Sequence, residues 1–123
     1  MSVLFLTKDL MFSSRVEGVA QSLGIGLSIV SDADQLLADA SSNQVALVLL
    51  DLTMPGSDPE QTVARLRQLD CPPGAVVAFG PHVHEDTLAA AEDAGCDEVL
   101  TRGAFNSQMS VILAKYTGNE NAG

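Results

Sequence analysis

Residues Val45 to Leu50 read VALVLL, six apolar side chains in succession, and Asp51 follows at once. A strand with one wet face alternates apolar and polar residues. A run without alternation needs apolar cover on both sides, which parallel sheets with helices on each face provide. Parallel neighbours cannot be joined by tight hairpins, so helical crossovers must lie on either side of this run. The run thus predicts an α/β chain in which a carboxylate sits at the end of a buried strand.

The remaining sequence supplies the crossovers. Val3 to Leu6 is a short apolar strand, and Phe12, Val16, Val19 and Leu23 then recur at helical spacing until Gly24. Leu27 to Val30 is a second strand. Ser31 with Asp34 reads as a capping pair for a helix burying Leu36, Leu37 and Ala40. Asp58-Pro59 places a capping carboxylate before a proline at the first helical position, and Val63, Leu66 and Leu69 form the stripe that follows. After the Pro72-Pro73-Gly74 breaker come a strand over Ala75 to Phe79, a helix over Glu85 to Ala94 closed by Gly95, and a strand over Val99 to Thr101. A last helix is expected from about Asn106 to Tyr116, burying Met109, Ile112 and Leu113. The order predicts a doubly wound, five-stranded parallel sheet with five helices, a flavodoxin-like three-layer sandwich. One domain is expected over residues 1–116, with a polar, disordered tail over 117–123.

Sixteen acidic against six basic residues leave a net charge of −10, which repels phosphate backbones and anionic headgroups, so neither nucleic acid nor membrane is an expected partner. The N-terminal MSVLFLTKDL lacks the basic start and cleavage site of a secretory signal, and a cytoplasmic protein is expected. Cys71 and Cys96 are too few and too far apart for a disulfide framework or a paired metal-ligand motif; both are read as reduced, with Cys96 the more buried. In a doubly wound sheet chemistry gathers beyond the carboxyl ends of the strands, which singles out Thr7, Lys8 and Asp9, then Asp51, Gly80 and Arg102.

At these positions the chain resembles the receiver domain of two-component response regulators, over roughly residues 3–116. LVLLDLTMPG is similar to the segment in which that family carries its phosphorylated aspartate, which points to Asp51; VVAFG and AAAEDAGCDEVLTRG are similar to the family's fourth strand, fourth helix and fifth strand, in order. The resemblance implies phosphoryl transfer from a histidine kinase to the aspartate with magnesium. The metal is held there by an acidic pair after the first strand, with a hydroxyl after the fourth strand and a lysine after the fifth. Here Thr7-Lys8 stands for the acidic pair, Gly80 for the hydroxyl residue, Val99 for the aromatic residue of the fifth strand, and Arg102 followed by Gly103 for the lysine and its usual proline. Taking Asp9 as a member of the pair breaks the spacing to Leu23-Gly24, so Thr7 and Lys8 keep those places.

Magnesium sheds its water reluctantly and is rarely held by one carboxylate, so no cofactor is expected unless Asp51 is an active acceptor. Lys8 is expected to form an ion pair with Asp51 in place of the metal, with Arg102 capping that pair or clamping an anion. His82 and His84 in PHVHED lack a third ligand and read as solvated residues at a helix start; Asp32, Asp34 and Asp39 read as a solvated acidic face. Three function classes stand. One is a pseudo-receiver that binds a signalling protein without phosphorylation, and the second is an active single-domain receiver phosphorylated on Asp51. The third, a small enzyme of flavodoxin-like fold, has no nucleophile–base pair or cofactor loop to support it. The first is favoured, with no catalysis of its own. No output domain is expected after Tyr116, so output is expected through a partner, a histidine kinase or a downstream effector, and a homodimer stays open.

Overall fold

The computed structural model describes residues 2–54 and 58–118. Its elements run β1 (Ser2–Leu6), α1 (Leu10–Ser22), β2 (Gly26–Val30), α2 (Ala33–Ser42), β3 (Val45–Asp51), α3 (Pro59–Arg67), β4 (Ala75–Gly80), α4 (Glu85–Asp93), β5 (Glu98–Thr101) and α5 (Arg102–Thr117). The five strands pair in parallel in the order β2-β1-β3-β4-β5. The doubly wound architecture expected from the apolar run is the one observed, and β3, the source of that expectation, is buried along its whole length.

Alternate residues of the central strands feed two cores. Val3, Phe5, Leu49 and Phe79 pack against α1 and α5 through Phe12, Val16, Phe105 and Ile112. Leu4, Leu50, Val76 and Ala78 pack on the opposite face against Leu36 of α2, Leu66 of α3 and Ala91 of α4. The first core is anchored by aromatic rings, with Phe79 and Phe105 stacked at 4.5 Å and Phe12 5.2 Å from Phe79. Strand order reverses at β1, so the crevice beyond the ends of β1 and β3 is where such a sheet exposes a site, and Thr7 and Asp51 stand there.

Several boundaries differ from the sequence reading. The cap of α2 is Asp32, whose carboxylate accepts the Gln35 N–H at 2.7 Å, because the helix begins one residue later than the Ser31–Asp34 pair requires. Asp32 is thereby a cap and not merely part of a solvated face. Helix α5 begins at Arg102, not near Asn106: the Thr101 hydroxyl accepts the Ala104 N–H at 3.1 Å, so the last strand residue is also the helix cap and Gly103 lies inside the first turn. Leu69 lies beyond the end of α3 yet still packs on the second core. The Asp58 cap and the Pro59 start of α3 are as expected. Gly95 has φ +98°, the left-handed conformation that favours glycine after a helix. Helix α5 runs to Thr117 with Gly118 as its cap; the rest of the expected tail, like Pro55 and Gly56 of the LVLLDLTMPG segment, lies outside the described residues. Among the described residues no helix is long and apolar enough to cross a membrane.

Candidate functional site

Asp51 is the last residue of β3, and its pairing with Phe79 of β4 fixes its backbone at the edge of the β3–β4 ladder. It is 3 % exposed. Burying a carboxylate demands hydrogen-bond donors at both oxygens. One donor comes from the residue directly after β1: the Thr7 hydroxyl donates to Asp51 Oδ2 at 2.7 Å, while its own oxygen accepts the Asp9 N–H at 3.1 Å. Thr7 is 2 % exposed and held in register by its N–H bond to the Val30 carbonyl. The others come from the turn after β3, where Thr53 donates both its N–H (2.9 Å) and its hydroxyl (2.6 Å) to Asp51 Oδ1. Thr53 was not singled out from the sequence. The available signal is a hydroxyl residue two positions after a strand-end carboxylate, the spacing of a local turn closed by the aspartate side chain.

The ion pair expected between Lys8 and Asp51 does not form. Side chains alternate along an extended chain, so with Thr7 turned inward Lys8 is turned outward. Lys8 is exposed and borders a hollow between α2 and α3 with Asp32, Asp58 and Arg65. The donors to Asp51 among the described residues are neutral groups, and none of the ion pairs there includes it.

Arg102 does not reach Asp51 either. Its guanidinium donates to Asp9 Oδ2 and lies over the Phe12 ring, 4.7 Å from the centroid. Asp9 is the cap of α1, its Oδ1 accepting the Phe12 N–H at 2.9 Å. That N–H and, next, the Arg102 bond hold the Asp9 carboxyl below the usual carboxylate range. The cap was legible as an acidic residue three positions before Phe12, whereas the sequence reading weighed Asp9 only as a member of an acidic pair and set it aside. The role expected of Arg102 as a cap on a Lys8–Asp51 pair gives way to a tie between the first turns of α5 and α1.

Gly80 ends β4 and is buried. A Cβ built there would lie 3.3 Å from Leu52 Cβ and 3.6 Å from Leu88 Cδ2. The space a side chain would use is therefore bounded by two leucines. Among the described residues no three His, Cys, Asp or Glu side chains come together to hold a metal ion. His82 and His84 are exposed, and His84 makes no side-chain capping bond to α4. Both cysteines are free; Cys96 is partly buried, and burial pushes its thiol up to about 11.

The site thus gathers Thr7, Asp51 and Thr53, places Asp9 and Arg102 beside them as a separate pair, and leaves Lys8 outside. No family model matches the chain. The sensor histidine kinase GacS of Pseudomonas protegens is 24 % identical over 107 residues, which cover 84 % of this chain; the chain spans 12 % of the length of that curated relative. The receiver domain of the sensor histidine kinase PA1611 from Pseudomonas aeruginosa, solved with a magnesium ion coordinated in its active-site cleft, aligns over 95 % of this chain and 97 % of its own, with TM-score 0.80 and 18 % identity. The receiver domain of the response regulator Ssk1 from Saccharomyces cerevisiae, solved with the histidine phosphotransfer protein Ypd1, aligns over 94 % and 88 % with TM-score 0.78 and 13 % identity. The chain has the receiver fold.

Proposed function

We propose that this chain is a pseudo-receiver: a cytoplasmic module of two-component signalling that recognises a protein partner without being phosphorylated and performs no chemistry of its own. The observation that carries the reading is the occupancy of Asp51. Each of its oxygens is taken by donors of the chain itself, from Thr7 on one side and Thr53 on the other. A carboxylate that attacks an anionic phosphoryl group needs cationic charge to offset repulsion at the reacting oxygens. Here neither cation at the strand ends bonds Asp51: Arg102 pairs with Asp9, and Lys8 stands exposed at the rim of the α2–α3 hollow. Thr7 presents a hydroxyl toward Asp51 at the place where the family's acidic pair begins, which leaves one carboxylate where magnesium needs more. These residues do not fit the ion.

The partner is a signalling protein, either a histidine kinase or a downstream effector. The likeness to a segment of a sensor kinase and to a receiver solved with a phosphotransfer protein supports that class. The competing reading is an active single-domain receiver phosphorylated on Asp51. Incubation with a small-molecule phosphodonor and magnesium, followed by intact-mass measurement, separates the two. No adduct is expected; a substantial adduct that is absent from Asp51→Asn overturns the proposal in favour of phosphoryl relay.

A further inference from the structure

The hollow between α2 and α3 is a space of about 180 Å³ that neither Thr7 nor Asp51 lines, and its polar lining includes Lys8, Asp32, Asp58, Thr62 and Arg65. Several of these groups lack the partners that the fold gives to other polar side chains. Thr62 is 6 % exposed, yet its hydroxyl has no hydrogen-bond partner among the described residues. No fully buried side-chain nitrogen or oxygen there is left without a partner, so the hydroxyl is the part of Thr62 that opens into the hollow. Lys8 makes no ion pair among the described residues, and Arg65 has only a loose 3.8 Å contact with Asp34, itself 91 % exposed. Beside these cations stand two carboxylates fixed by the backbone. Asp32 and Asp58 cap α2 and α3, each through Oδ1, which accepts the Gln35 N–H at 2.7 Å and the Gln61 N–H at 3.1 Å respectively. The second oxygen of each is without a partner among the described residues.

We infer that this hollow binds a small aliphatic α-amino acid as its zwitterion, with the ammonium at Asp32 and Asp58 and the carboxylate at Lys8, Arg65 and the Thr62 hydroxyl. The lining carries two positive and two negative charges. A simple anion would meet both cap carboxylates, and a simple cation would meet both bases. A molecule whose opposite charges lie a few bonds apart satisfies each set in turn. The helix starts favour the carboxylate further, since α2 and α3 both begin at the hollow and the partial positive charge of a helix N-terminus attracts anions. Leu6 and Met54 supply the apolar part of the lining, which suits a short aliphatic side chain. The space lies well below the ~300 Å³ at which pockets for drug-sized ligands begin, so only a ligand of few atoms fits. Because Asp51 is not part of the lining, the inference stands apart from whether that residue is phosphorylated.

Titration of the full chain with L-alanine and L-valine, followed by amide NMR and without phosphodonor, tests it. Isovalerate and isobutylamine serve as analogues of valine that keep one charge each. The expected result is a set of saturable shifts at Lys8, Ala33 and Thr62 with a Kd on the order of 1 mM, and binding of either analogue weaker by about tenfold or more. Lys8→Gln and Thr62→Val should each weaken valine binding by about fivefold or more and keep the fold, since the polar group each removes bonds nothing among the described residues of the free chain. Lys115→Gln, which removes a cation paired with Glu98 outside the hollow, leaves binding unchanged. Absence of saturable shifts up to about 10 mM overturns the inference. So does an analogue that binds as tightly as valine, or a valine affinity that Lys8→Gln and Thr62→Val leave intact.

Discussion

Replacing Thr7 by valine keeps the shape of the side chain and removes only its hydroxyl, so it isolates the bond on which the Asp51 geometry depends. Two links are lost: the 2.7 Å bond to Asp51 Oδ2 and the acceptor for the Asp9 N–H. Hydrogen bonds to a charged group contribute about 1.5–3 kcal/mol, and a buried acceptor left bare costs about as much. Thr7 and Asp51 are 2 % and 3 % exposed, which leaves little room for water to replace the lost donor. We therefore expect a loss of about 2 kcal/mol. With an unfolding entropy near 2.1 cal/mol/K per residue, that corresponds to a fall in Tm of about 8 °C for a chain of this length. Urea unfolding followed by circular dichroism reads the free energy directly, with an unchanged m-value as the sign that only stability has moved. Thr7→Ser, which retains the hydroxyl, should cost less than the valine variant. A double-mutant cycle with Asp51→Asn should return a coupling between the two positions of at least about 0.5 kcal/mol. If Thr7→Val is as stable as the parent and the cycle is additive, the hydroxyl does not hold Asp51 and the account of the site fails.

Two further outcomes test its flanks. Gly80→Thr should be less stable than the parent by about 1–3 kcal/mol in the same urea assay, since its Cβ arrives 3.3 Å from Leu52 Cβ and the branches need more space still; equal stability would mean that the leucines yield freely. For Arg102→Ala the pH dependence carries the test. Asp9 is held below its ordinary value in the folded chain by the Phe12 N–H and by Arg102, so the stability it contributes is present above its unfolded pKa and is lost as pH falls through the lower folded value. The gap in Tm between parent and Arg102→Ala should thus be widest at neutral pH and narrow in acid to what the Arg102–Phe12 contact alone contributes, and a gap that stays constant on acidification contradicts the pairing.

The fold was legible because it rests on long apolar runs. VALVLL cannot be half-wetted, and the breakers at Gly24, Pro72-Pro73-Gly74 and Gly95 divide the chain where the elements do change. The start of α5 was not legible, because Thr101 serves both as strand residue and as helix cap, and Gly103 suggests a break that the cap overrides. In the site, the facing of Thr7 toward Asp51 followed from aligning strand ends, whereas the facing of Lys8 did not. Its position in the sequence suits an ion pair with Asp51, but the alternation of an extended chain sends the two neighbours to opposite sides. Thr53 and the cap role of Asp9 depend on local turns, where a side chain two or three residues away supplies the bond, and a search for charged partners passes over them.

The residues Thr7, Gly80 and Arg102 bear on one another through the packing. With a hydroxyl at Thr7, Asp51 is satisfied by neutral donors, so nothing in the crevice calls for the arginine at the start of α5. Arg102 instead finds the cap carboxylate of α1 and the face of Phe12, the ring that also packs on Phe79 and Phe105 in the core beneath. Releasing it toward Asp51 would strip a partner from Asp9 and uncover that ring together. On the other side, Gly80 brings the end of β4 close to Leu52, the residue directly after Asp51, whose N–H bonds to the Phe79 carbonyl at 2.9 Å. A larger side chain at Gly80 would push on the strand end that presents Asp51. A hydroxyl side chain introduced there therefore disturbs the strand end that presents Asp51, and bringing a cation beside Asp51 requires undoing the α1–α5 tie. Under the pseudo-receiver reading, single substitutions of this kind should lose stability without permitting phosphorylation, because each leaves the others' packing in place.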